Sequence, residues 1–395
     1  MTGTYDVIII GGGIMGSSTA FFLTRSGSFG GRVAVIERDS TYVNSSTAVS
    51  VSAIRQQFST PANIQMSQFG FGFLKGLKDE FGAEGDVNLR ESGYLFLASP
   101  EGVPVLRSNH AIQTAHGANV AWLEPAEITS RYPWMSDGGI AAGCMGQSGE
   151  GWFDPHSLLQ LFRRQAQAGG AVYIDGEAAG IERDGGRVTA VTLTDGQRLE
   201  CGAVVDAAGP AAAEVAAMAG LDLPVEPRKR FVYVIDSRDK ASVTDCPMVI
   251  DPSGVYFRPE GEYFLAGVSP PPDREPPVVD FGGDFDVDYS LFEDIIWPTL
   301  AARVPAFAAI KPVNAWAGYY AYNTLDQNAI IGPHPEAANF LFANGFSGHG
   351  MQQSPAVGRA ISEFVTDGRT TSLDLSDLGY ERIAEGRPLA EVNVI

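Results

Sequence analysis

The sequence predicts an α/β fold in which a dinucleotide-binding domain, split along the chain, is interleaved with an antiparallel-sheet substrate domain. Three observations point there. They are a strand, turn, helix and strand at the start, short alternating segments in the middle, and a strand, glycine loop and helix near the end.

The first unit begins with "YDVIIIGGGIMGSSTAFFLTRSG". The β-branched run from Val7 to Ile10 suits a strand buried on both faces of a parallel sheet. Gly11, Gly13 and Gly16 then fall in G-x-G-x-x-G spacing, and Ile14, Ala20, Phe21 and Leu23 return at helical intervals. Gly11 permits the sharp turn, Gly13 a close approach of backbone to an anion, and Gly16 tight packing of helix on sheet. The N–H groups of the new helix supply partial positive charge for a diphosphate. A second run, Val33 to Ile36, ends on Glu37, about twenty residues on, where a carboxylate can accept from ribose hydroxyls. This complete βαβ context turns a weak glycine motif into a dinucleotide site, with an adenosine half in the ligand.

The polar stretch "TYVNSSTAVSVSAIRQQFST" reads as a ligand-lining loop. A helix is expected over residues 63–81, a strand over 92–99 and an amphipathic helix over 157–168. Strand, hairpin and strand lead to a buried strand at 203–207 that opens onto Ala208-Gly209, again small enough for close approach of a ligand. The runs at 231–236, 254–259 and 262–269 alternate as an antiparallel sheet does. After a Pro-rich acidic link and a helix around 291–302, "NFLFANGFSGHGMQQSPAVGRAISEFV" returns to the nucleotide-binding domain. The expected division is residues 1–87, 150–222 and 325–395 for the cofactor domain, with 88–149 and 223–324 for the substrate domain.

Composition bounds the function. At 395 residues two domains are expected, and 45% hydrophobic against 19% charged residues is globular. A net charge of -20 argues against nucleic acid as a partner. No apolar run is long enough to span a bilayer. Cys144, Cys201 and Cys246 are dispersed and only five histidines are present, so neither a disulfide framework nor a metal centre is expected. The first strand starts within a few residues and no targeting signal precedes it, which makes a cytoplasmic location the expectation. Nothing in the sequence sets the oligomeric state.

"GFSGHGMQQSPAVGRAISEF", together with "GGGIMG" and "RQQF", resembles the D-amino-acid-oxidase family of flavoenzymes, in its sarcosine-oxidase, dimethylglycine-dehydrogenase and glycine-oxidase branch. "WPTLAARVPAF", "WAGYYAYNTLDQNAIIGPHP" and the closing "NVI" look closest to the FAD-dependent oxidoreductases that animal mitochondria link to complex I assembly. The resemblance implies a split Rossmann-like domain, FAD and oxidation of a carbon-nitrogen bond. It places Gly11, Gly13, Ile14, Met15 and Gly16 at the diphosphate, Glu37 and Arg38 at the adenosine, and Ser45, Ser46 and Thr47 near the diphosphate. Ala178, Ala208 and Gly209 match backbone contacts to FAD. Gly345, Phe346, Ser347, Gly348, His349, Gly350 and Met351 match the loop at the pyrimidine edge of the flavin.

For the substrate, the resemblance implies Arg55 as a carboxylate anchor, Tyr256 above the flavin and Tyr322, from the group Tyr319, Tyr320 and Tyr322, in the pocket. Each has a plainer alternative: Arg55 as a solvated charge, the tyrosines as sheet or core aromatics, His349 as a helix cap. Two positions depart from the branch. Tyr319 stands where sarcosine oxidases carry the flavin-linked cysteine, so FAD is expected to be noncovalent, and Gln352 stands where they carry a lysine. Ungapped counting also sets Leu265 where a lysine faces the flavin, which favours a quinone or another acceptor over oxygen. The expected activity is FAD-dependent oxidation of an amine or amino acid. The alternatives are a 2-hydroxy-acid dehydrogenase with His349 as base, and a flavin-containing assembly factor.

Overall fold

The computed structural model describes residues 3–276, 278 and 282–393. Its first sheet is built on β1 (Gly3–Ile10), which is buried from Val7 onward because helix residues such as Phe21 and Leu161 cover one face and Val191, Leu193 and Val215 cover the other. Parallel neighbours are β2 (Val33–Glu37) on one side and the strand Arg198–Asp206 on the other. Val172–Asp175 and Ala337–Asn344 extend the sheet in parallel, and Ile330–His334 closes one edge antiparallel. Thus strands far apart in sequence meet around one nucleotide-binding edge. The Arg198–Asp206 strand is longer than the expected 203–207 because its polar start pairs with Gly3 to Tyr5.

α1 (Ile14–Arg25) follows the glycine turn and packs against Gly350–Asp367, the late helix. The approach is close: a Cβ on Gly358 would lie 2.2 Å from the Ser18 hydroxyl oxygen, which itself donates to Ser354 O at 2.7 Å. Pro355 lies inside that late helix and cannot donate to Met351 O. The Ser354 hydroxyl donates to the same carbonyl at 2.9 Å instead.

The second sheet runs Ile310–Asn323, Val225–Ser237, Tyr263–Gly267, Tyr256–Glu260, Met248–Ile250, Tyr94–Ala98, Ala142–Gly146 and Val120–Leu123. All neighbours are antiparallel except Met248–Ile250 with Tyr94–Ala98, a parallel pair joining two distant segments. One face of this sheet, carrying Phe231, Tyr233, Phe257 and Phe264, buries against Leu291, Phe292, Ile296 and Phe307. The other face carries Arg230, Val232 and Tyr256 toward the first sheet. Val225–Ser237 is twice the expected strand because its first half, Val225 to Arg230, pairs along Gly318 to Asn323 of the neighbouring strand. Among the described residues, no helix is long and apolar enough to cross a membrane.

Candidate functional site

A cleft of about 740 Å³ runs along the C-terminal ends of the parallel strands and under the second sheet, within the roughly 300–1,000 Å³ typical of ligand sites. Its floor is the glycine turn. Gly11 has φ +100° and a Cβ there would stand 2.4 Å from Ala207 O, while one on Gly16 would stand 1.8 Å from Gly11 O. Neither position tolerates a side chain without moving backbone. At the strand end, Glu37 accepts the Gly12 N–H at 2.7 Å and the Asp39 N–H at 2.9 Å. The Thr47 hydroxyl accepts the Ile14 N–H at 3.0 Å, tying the polar loop to the start of α1.

Gly11, Gly13, Ile14, Met15, Glu37, Arg38, Ser45, Ser46, Thr47, Ala178, Ala208, Gly209, Phe346, Ser347, Gly348, Gly350 and Met351 all line this cleft. Gly16 and Gly345 do not. Gly16 lies beneath the turn, and Gly345, at φ +74°, backs onto Asn323 and Val225, so both shape the wall without forming it. Tyr42, which sequence reasoning missed, also lines the cleft; its buried hydroxyl has no hydrogen-bond partner among the described residues, and Arg163 lies 4.7 Å from its ring.

At its inner end the cleft meets a chamber of about 50 Å³, the two sharing Ser50, Val51, Tyr256, Tyr320, Gly348 and Met351. Arg55, Tyr94, His349, Gln352, Ala53 and Met248 complete the chamber. Arg55, Tyr256 and the neighbouring pair His349 and Gln352 are therefore brought together from three distant parts of the chain. Tyr322 is not. It lies outside both cavities, half-buried beneath the Arg228 guanidinium at 4.9 Å and bridged to Phe346. Tyr320, two residues earlier on the same face of the strand, lines the chamber instead, because the cleft ends before the strand does. Leu265 lines neither cavity and is buried between Val234 and Arg258.

Arg55 is 3% exposed, and among the described residues it makes no ion pair. The other buried arginines, Arg258, Arg303 and Arg382, pair with Glu260, Asp251 and Asp326. Burial pulls the Arg55 pKa below its ordinary value, while Tyr94, Glu391 and Glu150 oppose the shift. Its guanidinium lies 3.8 Å from the Phe58 ring centroid and donates to the carbonyls of Gln57 and Asn393. Its backbone N–H donates to Gln352 Oε1 at 2.8 Å, which leaves the Gln352 amide N–H₂ as that side chain's donor end.

The loop carrying Arg55 is stapled by Glu150, another residue the sequence did not reveal. This fully buried carboxylate accepts from Gln56 N, Gln57 N, Gln57 Nε2 and Tyr94 N at 2.7 to 3.2 Å. Burial pushes its pKa up to about 7 against those donors. A lone glutamate in "GQSGEGWF" carries no local signal of such a role. His349 is held neutral, its pKa pushed down to about 4 by burial and by the charge of Arg55, and its Nε2 is buried without a partner among the described residues. The hydroxyls of Tyr94, Tyr256 and Tyr320 make no hydrogen bond among the described residues, and burial raises the pKa of each.

A nucleotide cleft running into a buried cationic chamber is the architecture of a dinucleotide-dependent oxidoreductase. Residues 6–364 match the DAO family, FAD dependent oxidoreductase, and the chain belongs to that family. It is 41% identical over 427 residues to FAD-dependent oxidoreductase domain-containing protein 1 of Xenopus laevis, covering 99% of this chain and 85% of the relative. L-proline dehydrogenase from P. horikoshii superposes with a TM-score of 0.86 at 26% identity, covering 98% of this chain and 100% of that one. Glycine oxidase from Geobacillus kaustophilus has the same fold, with a TM-score of 0.79 at 24% identity over 96% of this chain and 98% of that one.

The cleft fits the FAD on which this family depends. The bare turn at the start of α1 suits the diphosphate, and Glu37 with the unpartnered Tyr42 hydroxyl suits the adenosine end. The start of the Gly350–Asp367 helix, beside Gly348 and Met351, suits the flavin end next to the chamber.

Proposed function

We propose that this enzyme oxidises the carbon-nitrogen bond of an amino acid or N-alkyl amino acid. One observation carries the reading: Arg55 is a buried cation without an ion-pair partner among the described residues, in a chamber that opens onto the flavin end of the cleft. A buried charge without a counter-ion is unfavourable, and a substrate carboxylate supplies one through charge-assisted hydrogen bonds. The names of its relatives, glycine oxidase and sarcosine dehydrogenase, support amino-acid and N-methyl amino-acid substrates.

In this reading Arg55 holds the carboxylate, and the Gln352 amide and the tyrosine hydroxyls supply further donors. Met248, Val51 and Met351 exclude water from the carbon next to nitrogen. Neutral His349 adds no second positive charge, so an uncharged amine is not disfavoured there. FAD, when bound, supplies the acceptor for hydride, and the resulting imine is hydrolysed by water.

The test is anaerobic mixing of the FAD-loaded protein with pools of amino acids, N-alkyl amino acids and 2-hydroxy acids, followed by visible absorbance. Bleaching by an amino or N-alkyl amino acid is the expected result. A second reading, oxidation of a 2-hydroxy acid with His349 as base, is favoured by the unpartnered Nε2. Bleaching by hydroxy acids alone selects it and rejects the first.

A further inference from the structure

We propose that the segment Glu391 to Asn393 is a positioning element for Arg55, setting the direction of its guanidinium for an acidic ligand; this rests on the reading that Arg55 meets a substrate carboxylate. Arg55 sits in irregular backbone after the two-residue strand Ala53–Ile54, and a long side chain there has many rotamers to choose from. Three hydrogen bonds close a ring that selects one. Arg55 Nη1 donates to Gln57 O, Arg55 Nη2 donates to Asn393 O at 2.5 Å, and Asn393 Nδ2 donates to the same Gln57 O at 2.6 Å.

The segment that supplies this ring is itself anchored. The Asn393 N–H donates to Glu391 Oε1 at 3.0 Å, and the Glu391 carboxylate, 1% exposed, accepts from Ser59 N, Ser59 Oγ, Thr60 N and Asn63 Nδ2 at 2.6 to 3.1 Å. These donors cluster at the start of the long helix Pro61–Phe81, where a carboxylate is favoured. The helix, the arginine loop and the segment form one unit.

The chemistry of the ring matters. Two guanidinium donors are fixed by neutral carbonyls, which orient the group without cancelling its charge. Glu391 bonds to backbone and amide groups and, among the described residues, forms no ion pair with Arg55, so it acts on the cation only at longer range and leaves its remaining donors open to a ligand. Five donors less two leaves three for a ligand. The closing "NVI" of the sequence thus contains a residue of the site.

The test measures binding of 2-furoate, with neutral 2-furamide as control, to FAD-loaded protein by the flavin difference spectrum. The variants are Asn393→Ala, Arg55→Met and the double variant, with FAD content and melting temperature recorded for each. Asn393→Ala is expected to weaken 2-furoate about tenfold, the size of one charge-assisted bond misplaced, with 2-furamide binding and FAD content unchanged. In the Arg55→Met background the same change should have no further effect, because a positioning residue acts only through its target. Glu391→Gln gives a second variant and should reproduce the selective loss. Wild-type 2-furoate affinity in Asn393→Ala, or an equal loss in the Arg55→Met background, overturns the proposal. Undiminished 2-furoate binding in Arg55→Met alone overturns the carboxylate reading beneath it.

Discussion

The side-chain oxygen of Gln352 accepts the backbone N–H of Arg55 at 2.8 Å, across 297 positions of sequence. That one bond fastens the arginine loop to the first turn of the Gly350–Asp367 helix, whose start also borders the cleft. Replacing Gln352 with Leu leaves a buried N–H unsatisfied, at a cost of about 1–3 kcal/mol. The expected result is a melting temperature lower by several degrees with FAD retained. An unchanged melting curve rejects the role.

Arg55→Met removes the buried cation from the chamber. Charge-assisted bonds contribute roughly 1.5–3 kcal/mol, so kcat/KM for a carboxylate substrate should fall at least about tenfold. The amine analogue lacking the carboxylate should lose far less, and FAD content should not change. Equal losses for the two substrates count against the anchor.

FAD should be held without a covalent bond. Tyr319 lines the cleft, with its hydroxyl donating to Asp284 O at 2.7 Å, and no cysteine lines the cleft. Acid precipitation should release all of the yellow colour into the supernatant. A flavin-bearing tryptic peptide would contradict this.

Stability should carry the signature of Asp206. This fully buried carboxyl accepts from Ala208 N at 3.1 Å, while its second oxygen and Asn344 Oδ1 are both buried without hydrogen-bond partners among the described residues. Burial raises its pKa to about 8, and a proton on Asp206 would satisfy the orphaned oxygens. The unfolded chain loses that proton near pH 4. The folded-state pKa is raised, so the stability it contributes is full below about pH 4 and is lost as pH rises through about 8. Between those values the slope is at most about 1.4 kcal/mol per pH unit. Asp206→Asn should flatten the decline measured by urea unfolding at pH 5 to 8, and parallel curves would show Asp206 ionised.

From the sequence, oxygen is expected to reoxidise the reduced protein slowly and an artificial dye quickly, although Leu265, the uncharged residue on which this rests, lies outside both cavities. Structure adds that Arg258, the nearby cation, is engaged by Val51 O and Glu260. Stopped-flow reoxidation of substrate-reduced protein decides, and fast reaction with oxygen would make it an oxidase.

What the sequence determined by itself is what local physics encodes. A β-branched run reads as a buried strand, three glycines in fixed spacing read as a turn too tight for side chains, and Glu37 at the next strand end completes the nucleotide unit, all before any long-range contact is known. Arg55, Tyr256, His349 and Gln352 were named through the resemblance, and all four line one chamber. Tertiary structure alone decided the rest. Tyr320 and not Tyr322 lines the chamber because the cleft stops partway along a 14-residue strand whose alternation is the same at both positions. Glu150, Glu391 and Asn393 act on Arg55 and its loop from 95, 336 and 338 residues away. Their partners are mostly backbone groups, which every residue possesses, so no pattern of side chains could announce them.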